Sequence, residues 1–113
     1  MQKLNVEFIR TDTRGSLTQI NTGEWKQLNY LIIKKGNSFG GHYHKHKKEL
    51  FYLLEGKVKV IVSDNTIKEE NLNPYELILI DPYDYHNIYA IEDSNIIELL
   101  SEPFDKDDVL VKK

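Results

Sequence analysis

One stretch of this sequence is more informative than the rest, and it reads Gly36-Asn-Ser-Phe-Gly-Gly-His42-Tyr-His44-Lys-His-Lys-Lys-Glu49-Leu-Phe-Tyr-Leu-Leu-Glu-Gly56. It carries two histidines two positions apart, a glutamate five positions after the second histidine, and a glycine at each end. Residues two apart on a strand project from the same face, so His42 and His44 are expected to point in one direction. The lysine-rich segment 45–48 is expected to form a turn, which lets Glu49 begin the next strand beside them.

A further candidate ligand lies later in the chain, in the segment Ile80-Asp-Pro-Tyr-Asp-Tyr-His86. Imidazole and carboxylate groups are the ligands that bind divalent zinc, iron, manganese or nickel in proteins. The sequence therefore predicts a metal site formed by His42, His44, Glu49 and His86, with the identity of the metal (Fe, Mn, Ni or Zn) left open. Three neutral imidazoles and one carboxylate leave a divalent ion with a net charge of about +1, which favours a bound enolate, alkoxide or carboxylate.

The alternative interpretation is that these histidines are solvent-exposed residues of a turn. His46 fits that description best, because it lies within the lysine-rich segment itself, and we leave it out of the ligand set. The spacing of the other ligands and the glycines that flank them favour a functional site.

Composition limits the classes of function that the chain can have. With 113 residues it is long enough for one domain with its own core, and we expect residues 1–113 to form a single domain. The formal charge of −3 argues against a nucleic-acid partner, since proteins that bind nucleic acids usually have a basic face. The absence of cysteine excludes disulfides and thiolate chemistry. The sequence shows neither a signal-peptide pattern nor a long apolar run, so we expect a cytoplasmic protein with no membrane partner.

The apolar pattern is typical of strands rather than helices. Short runs rich in Ile, Val, Leu, Tyr and Phe alternate with turn residues, and no stretch has a sustained helical period. The pattern predicts ten strands, at 5–9, 16–20, 28–34, 40–46, 49–55, 57–63, 66–72, 76–80, 87–91 and 95–100. Asp64-Asn65 is expected to form a two-residue hairpin turn. Short strands at this spacing predict an all-β fold, either an antiparallel sandwich or a barrel, with little helix.

The strand predicted over residues 49–55 is apolar on both faces, so both faces must be covered. One face would line the interior of the barrel. The other needs a second sheet, the N-terminal arm or another subunit, and on this basis we predict a homodimer.

The spacing of the glycines, histidines and glutamate in residues 36–56 resembles the first motif of the cupin superfamily at every defined position. Pro82-x3-His86 resembles the second motif, a proline-glycine turn followed by a histidine. It departs from that motif because Asp84 or Tyr83 stands where a glycine is usual, and because the closing asparagine is missing. The resemblance implies a single-domain, cupin-type antiparallel β-barrel (jelly roll) with the metal inside it.

Other segments resemble cupins that isomerise or epimerise nucleotide-linked sugars. Asp12-Thr-Arg-Gly-Ser-Leu17 is similar to their opening motif, whereas Gly40-Gly-His-Tyr-His-Lys45 and the tail 101–108 are similar to segments of the sugar-nucleotide 3,4-ketoisomerases. In those enzymes a histidine of the pair moves a proton next to a ketone without a metal. The resemblance implies that His42 or His44 is the acid/base residue, assisted by Tyr43.

Arg14 has two interpretations. The resemblance implies that it binds a diphosphate, because the planar guanidinium fork matches phosphate oxygens. By residue type alone, Thr13-Arg-Gly15 is an ordinary turn with an exposed arginine. Glu49 is a further departure, because the ketoisomerases do not usually keep a glutamate at that place and metal-binding cupins do.

Three functions are compatible with these observations. The preferred one is an isomerase or epimerase of a sugar or sugar nucleotide, which acts by proton transfer next to a carbonyl on a small-molecule substrate. The alternatives are an iron-dependent dioxygenase and a non-catalytic module that binds a small ligand. The match over residues 12–17 favours the first function, whereas the intact Glu49 ligand favours a metal-using enzyme of either kind.

Overall fold

The computed structural model describes residues 1–63 and 65–111, and its regular structure is almost entirely β. Asp64 lies outside the described residues, and with it the turn predicted at Asp64-Asn65. The strands are β1 (Gln2–Leu4), β2 (Phe8–Asp12), β3 (Gly15–Gln19), β4 (Gln27–Ile33), β5 (Ser38–His42), β6 (Glu49–Glu55), β7 (Val58–Ser63), β8 (Ile67–Leu72), β9 (Leu77–Ile80), β10 (Tyr85–Ala90) and β11 (Ser94–Leu100). One 3-10 turn, Lys106–Asp108, follows them.

The strands form two large sheets and one hairpin. The five-stranded sheet has the order β1-β9-β6-β11-β4, the four-stranded sheet has the order β5-β10-β7-β8, and β2 pairs with β3. Each of the strand pairings between described residues is antiparallel. The predicted all-β antiparallel fold is therefore confirmed.

The core lies between the two large sheets. On β7, Val58, Val60 and Val62 are fully buried and alternate with partly exposed residues, as expected for a strand with one inward face. From the opposite sheet, Phe51 and Leu53 join the same cluster. Each such side chain contributes about 1.5–3 kcal/mol of favourable burial.

The second apolar face of β6 is covered by the chain's own N-terminal segment. Leu50 and Tyr52 pack there with partly buried residues that include Leu4, Val6 and Trp25. A partner subunit is therefore not needed on this face, because the N-terminal arm, one of the three covers expected from the sequence, lies there.

The strand predicted at 40–46 is shorter in the structure, because β5 ends at His42. Tyr43 leaves the sheet and exchanges backbone hydrogen bonds with Leu110, at 2.9 and 3.0 Å. The next carbonyl, of His44, accepts a hydrogen bond from the N–H of Tyr83 at 2.7 Å. His44 thus sits on a loop that distant segments hold in place, and local strand periodicity could not reveal those contacts.

The predicted strand at 5–9 is divided in the same way. Residues 5–7 link β1 of the five-stranded sheet to β2 of the hairpin. Every residue of β2 and β3 is exposed, so the hairpin projects from the body of the molecule, whose extents are 53 × 31 × 23 Å. No helix among residues 1–63 and 65–111 is long and apolar enough to span a membrane.

Candidate metal centre and active-site cavity

The predicted ligands converge inside the barrel, where β5, β6 and β10 meet. His42 and His86 are register partners on β5 and β10, and Glu49 is the first residue of β6. One ligand atom from each of His42, His44, Glu49 and His86 lies within 4.8 Å of all the others. Glu49, His86 and His44 are buried, and His42 is partly exposed. The fold thus brings together the four residues that the sequence singled out.

Gly40 makes this convergence possible. Its φ of +116° is a backbone conformation that side chains rarely adopt, and an added Cβ would lie 2.5 Å from the carbonyl oxygen of His86. The pairing of β5 with β10 also shifts register between His86 and Asn87. A glycine at this point lets the two strands approach closely enough for His42 and His86 to share one site.

Backbone carbonyls fix the orientation of two imidazoles. Nδ1 of His86 lies 2.9 Å from the carbonyl oxygen of Asp84, and Nδ1 of His44 contacts the carbonyl oxygen of Asp108. A carbonyl oxygen can only accept, so each Nδ1 carries the hydrogen and donates it. The Nε2 atoms are then free to face the site, as is usual for histidines that bind metals.

Glu49 lies between these two imidazoles. Its Oε1 is 2.5 Å from Nε2 of His44, and its Oε2 is 2.9 Å from Nε2 of His86. Despite this proximity, Nε2 of His44 and Oε2 of Glu49 are buried without a geometrically aligned hydrogen bond. Buried polar atoms are rarely left unsatisfied, and a metal ion with bonds of about 2.0–2.2 Å would satisfy both. The donor set fits a divalent metal.

The charges in the site are strongly coupled. Burial tends to raise the pKa of Glu49, but its contacts with His44 and His86 outweigh burial and lower this pKa to about 2. Burial lowers the pKa of each of those histidines, and Glu49 outweighs it and raises both. Burial, together with the charge of His86, lowers the pKa of His42 to about 4. At neutral pH Glu49 is therefore ionised and His42 is neutral.

A cavity of about 420 Å³ opens beside the site. This volume is large enough for one part of a ligand that contains a sugar. Its lining is Leu31, Ser38, Phe39, Gly40, His42, Phe51, His86, Ile88 and Glu98. The walls are thus mainly apolar, with the two histidines and one carboxyl as the titratable groups.

Glu98, on β11, is a cavity residue that the sequence-based prediction did not include. Burial raises its pKa, as does the negative charge of Glu49, and a hydrogen bond from Asn29 acts in the opposite direction. A signal was available in the sequence, because Glu98 occupies an inward position of its strand whose neighbours, Ile96 and Leu100, are buried apolar residues.

Tyr43 does not lie with the histidines. Its ring stacks on that of Tyr83, with 6.3 Å between the ring centroids, and it is not part of the cavity wall. The alternation of side chains explains this, since residue 43 faces away from 42 and 44. Tyr83 has a φ of +72°, so it occupies the left-handed position that a glycine would fill more easily.

Arg14 is also distant from the cavity wall of its own chain. It lies at the tip of the β2–β3 hairpin, its side chain is 83% exposed, and its Nη2 is 2.7 Å from Oδ2 of Asp12. His46, which we left out of the ligand set, is not part of the convergent group.

Comparison with known proteins identifies the family. The family described as polysaccharide biosynthesis C-terminal domain matches residues 10–109. The chain belongs to this family. A search of the curated proteins found no match.

Solved structures of similar fold extend the assignment. The QdtA 3,4-ketoisomerase from Thermoanaerobacterium thermosaccharolyticum matches with a TM-score of 0.84 and 25% identity, over 98% of this chain and 86% of that one. A 3,4-ketoisomerase from Helicobacter canadensis matches with a TM-score of 0.86 and 20% identity, over 98% and 90%. The capsular polysaccharide assembling protein CapF from Staphylococcus aureus matches with a TM-score of 0.71 and 28% identity, over 94% of this chain and 32% of CapF. These matches confirm the predicted cupin-type barrel.

Proposed function

We propose that this family member is an isomerase or epimerase of a sugar nucleotide, and that its substrate is a keto sugar linked to a nucleoside diphosphate. The observation that carries the proposal is the cavity, whose wall includes two of the convergent histidines, in a fold that matches a 3,4-ketoisomerase over 98% of the chain. One such ketoisomerase structure contains TDP, and another contains TDP-4-keto-6-deoxyglucose.

The reaction needs a base that removes a proton from the carbon next to the carbonyl. The electrons of that C–H bond move into the carbonyl group and give an enediolate. A proton returned to the former carbonyl carbon, with transfer of the adjacent hydroxyl's proton to the former carbonyl oxygen, completes the isomerisation. An imidazole suits this task when it is neutral and faces the substrate. His42 meets both conditions, because it lines the cavity and its pKa is lowered.

His44 and Tyr43 are less well placed for proton transfer. His44 is buried between Asp108 and Glu49 and is not part of the cavity wall, and Tyr43 stacks on Tyr83. We therefore propose that His44 positions other groups or binds a metal. If the enzyme works without a metal, His42 is its acid/base residue.

We propose further that His42, His44, Glu49 and His86 hold a divalent metal (Fe, Mn, Ni or Zn). When bound, the metal would polarise the substrate carbonyl and stabilise negative charge on its oxygen. The two unsatisfied buried atoms, Nε2 of His44 and Oε2 of Glu49, support this assignment. In the metal-bound enzyme the imidazoles would hold the ion. Another group must then carry the proton that leaves the substrate carbon.

We also propose a homodimer in which the β2–β3 hairpin of one copy packs on β4 of the other. The hairpin exposes Phe8, Ile9 and Leu17, and the outward face of β4 exposes Leu28, Tyr30 and Ile32. β4 is the last strand of its sheet, so its free edge can accept another strand. Leu31 of β4 lines the cavity, and this packing would bring Arg14 towards the cavity of the second copy, where it could bind the diphosphate.

The test is to incubate the protein with TDP-4-keto-6-deoxyglucose and to identify the product by NMR. We expect the keto group to move to the neighbouring carbon, or that carbon to be epimerised. Binding of the substrate without turnover would contradict the proposal and favour a non-catalytic module. Oxygen consumption would favour the dioxygenase, which the structural matches do not favour. The cytoplasmic location stays a prediction.

A further inference from the structure

Glu98 is a carboxyl group in the wall of the cavity to which no role has been assigned so far. It lies on the inward face of β11, opposite Phe51 of β6. The cavity wall contains it together with His42 and His86. A carboxyl at this place needs an explanation, because burial of a carboxyl is unfavourable and a Gln or an apolar residue would fill the same space.

The position of Glu98 is fixed by a chain of amide hydrogen bonds. The backbone N–H of Phe104 donates to Oε1 of Gln27 at 2.6 Å, and Nε2 of Gln27 donates to Oδ1 of Asn29 at 3.2 Å. Nδ2 of Asn29 then donates to Oε1 of Glu98 at 2.8 Å. Because Oδ1 of Asn29 accepts the hydrogen bond from Gln27, the NH2 group of the Asn29 amide faces Glu98. The second carboxyl oxygen has no hydrogen-bond partner within the part of the chain that the structure describes, and it remains available to a ligand.

The metal-bound form of the proposed enzyme lacks a proton carrier among its histidines. The Nδ1 atoms of His44 and His86 donate to backbone carbonyls, and the Nε2 atoms would be taken up by the ion. His42 would likewise use its lone pair as a ligand. Glu98 is then the remaining titratable group in the cavity wall.

We propose that Glu98 is the catalytic carboxyl that transfers the proton between neighbouring carbons of the substrate, with Asn29 as the residue that positions it. This proposal rests on the proposed isomerase function. The carboxylate takes the proton from the carbon next to the carbonyl, and the C–H electron pair moves into the carbonyl and gives the enediolate. The carboxyl then returns the proton to the former carbonyl carbon. At the same time the adjacent hydroxyl passes its proton to the former carbonyl oxygen, so that the old carbonyl becomes a hydroxyl and the old hydroxyl becomes the new carbonyl. No oxidant or reductant is needed.

The test compares Glu98→Gln with wild type in D2O, using TDP-4-keto-6-deoxyglucose as the probe. The Gln side chain has the same shape but cannot accept the proton, so we expect turnover and deuterium incorporation to fall by about 10²–10⁴-fold. The affinity for TDP, measured by calorimetry, and the metal content, measured by elemental analysis, are expected to stay within about twofold of wild type. Glu69→Gln, on the exposed part of β8, is the matched control and should behave as wild type.

The outcomes separate the two proposals. If wild type turns over the substrate and Glu98→Gln retains turnover within about threefold, the role of Glu98 is wrong and the isomerase function stands. If wild type shows neither turnover nor exchange, the proposed function itself fails, and with it the role of Glu98. Should Glu98→Gln not fold, Glu98→Asp decides, because it keeps a carboxyl at a shorter reach. We expect intermediate turnover from Glu98→Asp, and full wild-type turnover by that variant would overturn the requirement for a carboxyl held at this position.

Discussion

Among the three site histidines, His42 is the one whose pKa is lowered, to about 4 from 6.5. In the unfolded chain, His42 therefore takes up a proton at a higher pH than it does in the folded chain. The contribution of His42 to the free energy of unfolding is therefore fully present above about pH 6.5 and is lost as pH falls towards about 4. His44, His86 and Glu98 act in the opposite direction, since their pKa values are raised, and Glu49 loses its contribution only below about pH 4.5.

We predict that, for metal-free protein, the lowered pKa of His42 reduces the free energy of unfolding by about 1 kcal/mol between about pH 7 and about pH 5, a value discounted for the partial exposure of this side chain. Urea denaturation at the two pH values, with a chelator present, measures this change in wild type and in His42→Asn. The variant lacks the titrating group, so its free energy of unfolding should fall by that much less than the free energy of unfolding of wild type between the two pH values. An identical dependence in both proteins would show that His42 is not the cause.

The ligand set makes a second prediction at this scale. His44→Ala and Glu49→Ala each remove one donor from a site that needs all four, and we expect metal affinity to fall by more than about 100-fold. His46→Ala is the matched control, because His46 is close in sequence but outside the convergent group. Elemental analysis after dialysis measures metal content, and circular dichroism checks that the barrel is folded. Full metal content in both ligand variants would refute the assignment.

The sequence was sufficient to predict that His42, His44, Glu49 and His86 lie together, since their spacing is a local property of two segments. For Glu98 the sequence offers only an inward strand position between Ile96 and Leu100, which does not show that this carboxyl lines the cavity. Its importance comes from the packing of β11 beside β6 and from the hydrogen bond of Asn29, and both depend on residues distant in sequence. The side-chain direction of Tyr43 was available from strand alternation, but the family resemblance gave it a catalytic role instead.

At the scale of elements, the C-terminal turn Lys106–Asp108 acts as a support for the loop that carries His44. The carboxylate of Asp108 accepts hydrogen bonds from the N–H groups of Lys45 and His46, at 2.7 and 3.2 Å. Its carbonyl contacts Nδ1 of His44. These contacts explain why a loop, rather than a continued strand, can hold the buried imidazole of His44 in the site. They also explain why the strand prediction overran residue 42, because a local pattern contains no information on contacts with residue 108.

We predict that Asp108→Ala weakens metal binding by about 10–100-fold. The substitution removes the side-chain hydrogen bonds to Lys45 and His46 that hold the loop, but it removes none of the proposed metal ligands. Asp107→Ala is the matched control, since Asp107 belongs to the same turn but its side chain is exposed. Competition with a chromophoric chelator measures the affinity of each variant. Equal affinities for the two variants would show that the turn does not position His44.

For the whole molecule, the unexplained feature is the exposed apolar surface of the projecting hairpin and of the outward face of β4. Leu28, Tyr30 and Ile32 are 63%, 56% and 54% exposed in the isolated chain, which is unusual for three apolar residues on one strand face. The sequence predicted a homodimer from a different surface, the second face of β6, which the chain covers itself. The homodimer stays a prediction, and the interface that we now propose for it consists of β4 and the β2–β3 hairpin.

We predict that wild type is a dimer and that Tyr30→Lys shifts it towards the monomer, because a charge would then be buried in the interface. Tyr75→Lys is the matched control, since Tyr75 is 66% exposed on a turn outside this surface. Size-exclusion chromatography with light scattering measures the mass of each protein. A monomeric wild type, or a Tyr30→Lys variant that remains fully dimeric, would contradict the proposed packing.

We propose that this barrel moves a proton on a keto sugar, with a metal held by its three histidines and Glu49. The most direct measurement is deuterium incorporation into TDP-4-keto-6-deoxyglucose in D2O, followed by NMR at the carbon next to the carbonyl. We expect incorporation by the metal-loaded protein, loss of incorporation after chelation, and recovery when the metal is restored. No incorporation by the metal-loaded protein would contradict the isomerase function. Incorporation that is unchanged by chelation would contradict the role of the metal and would favour His42 as the base.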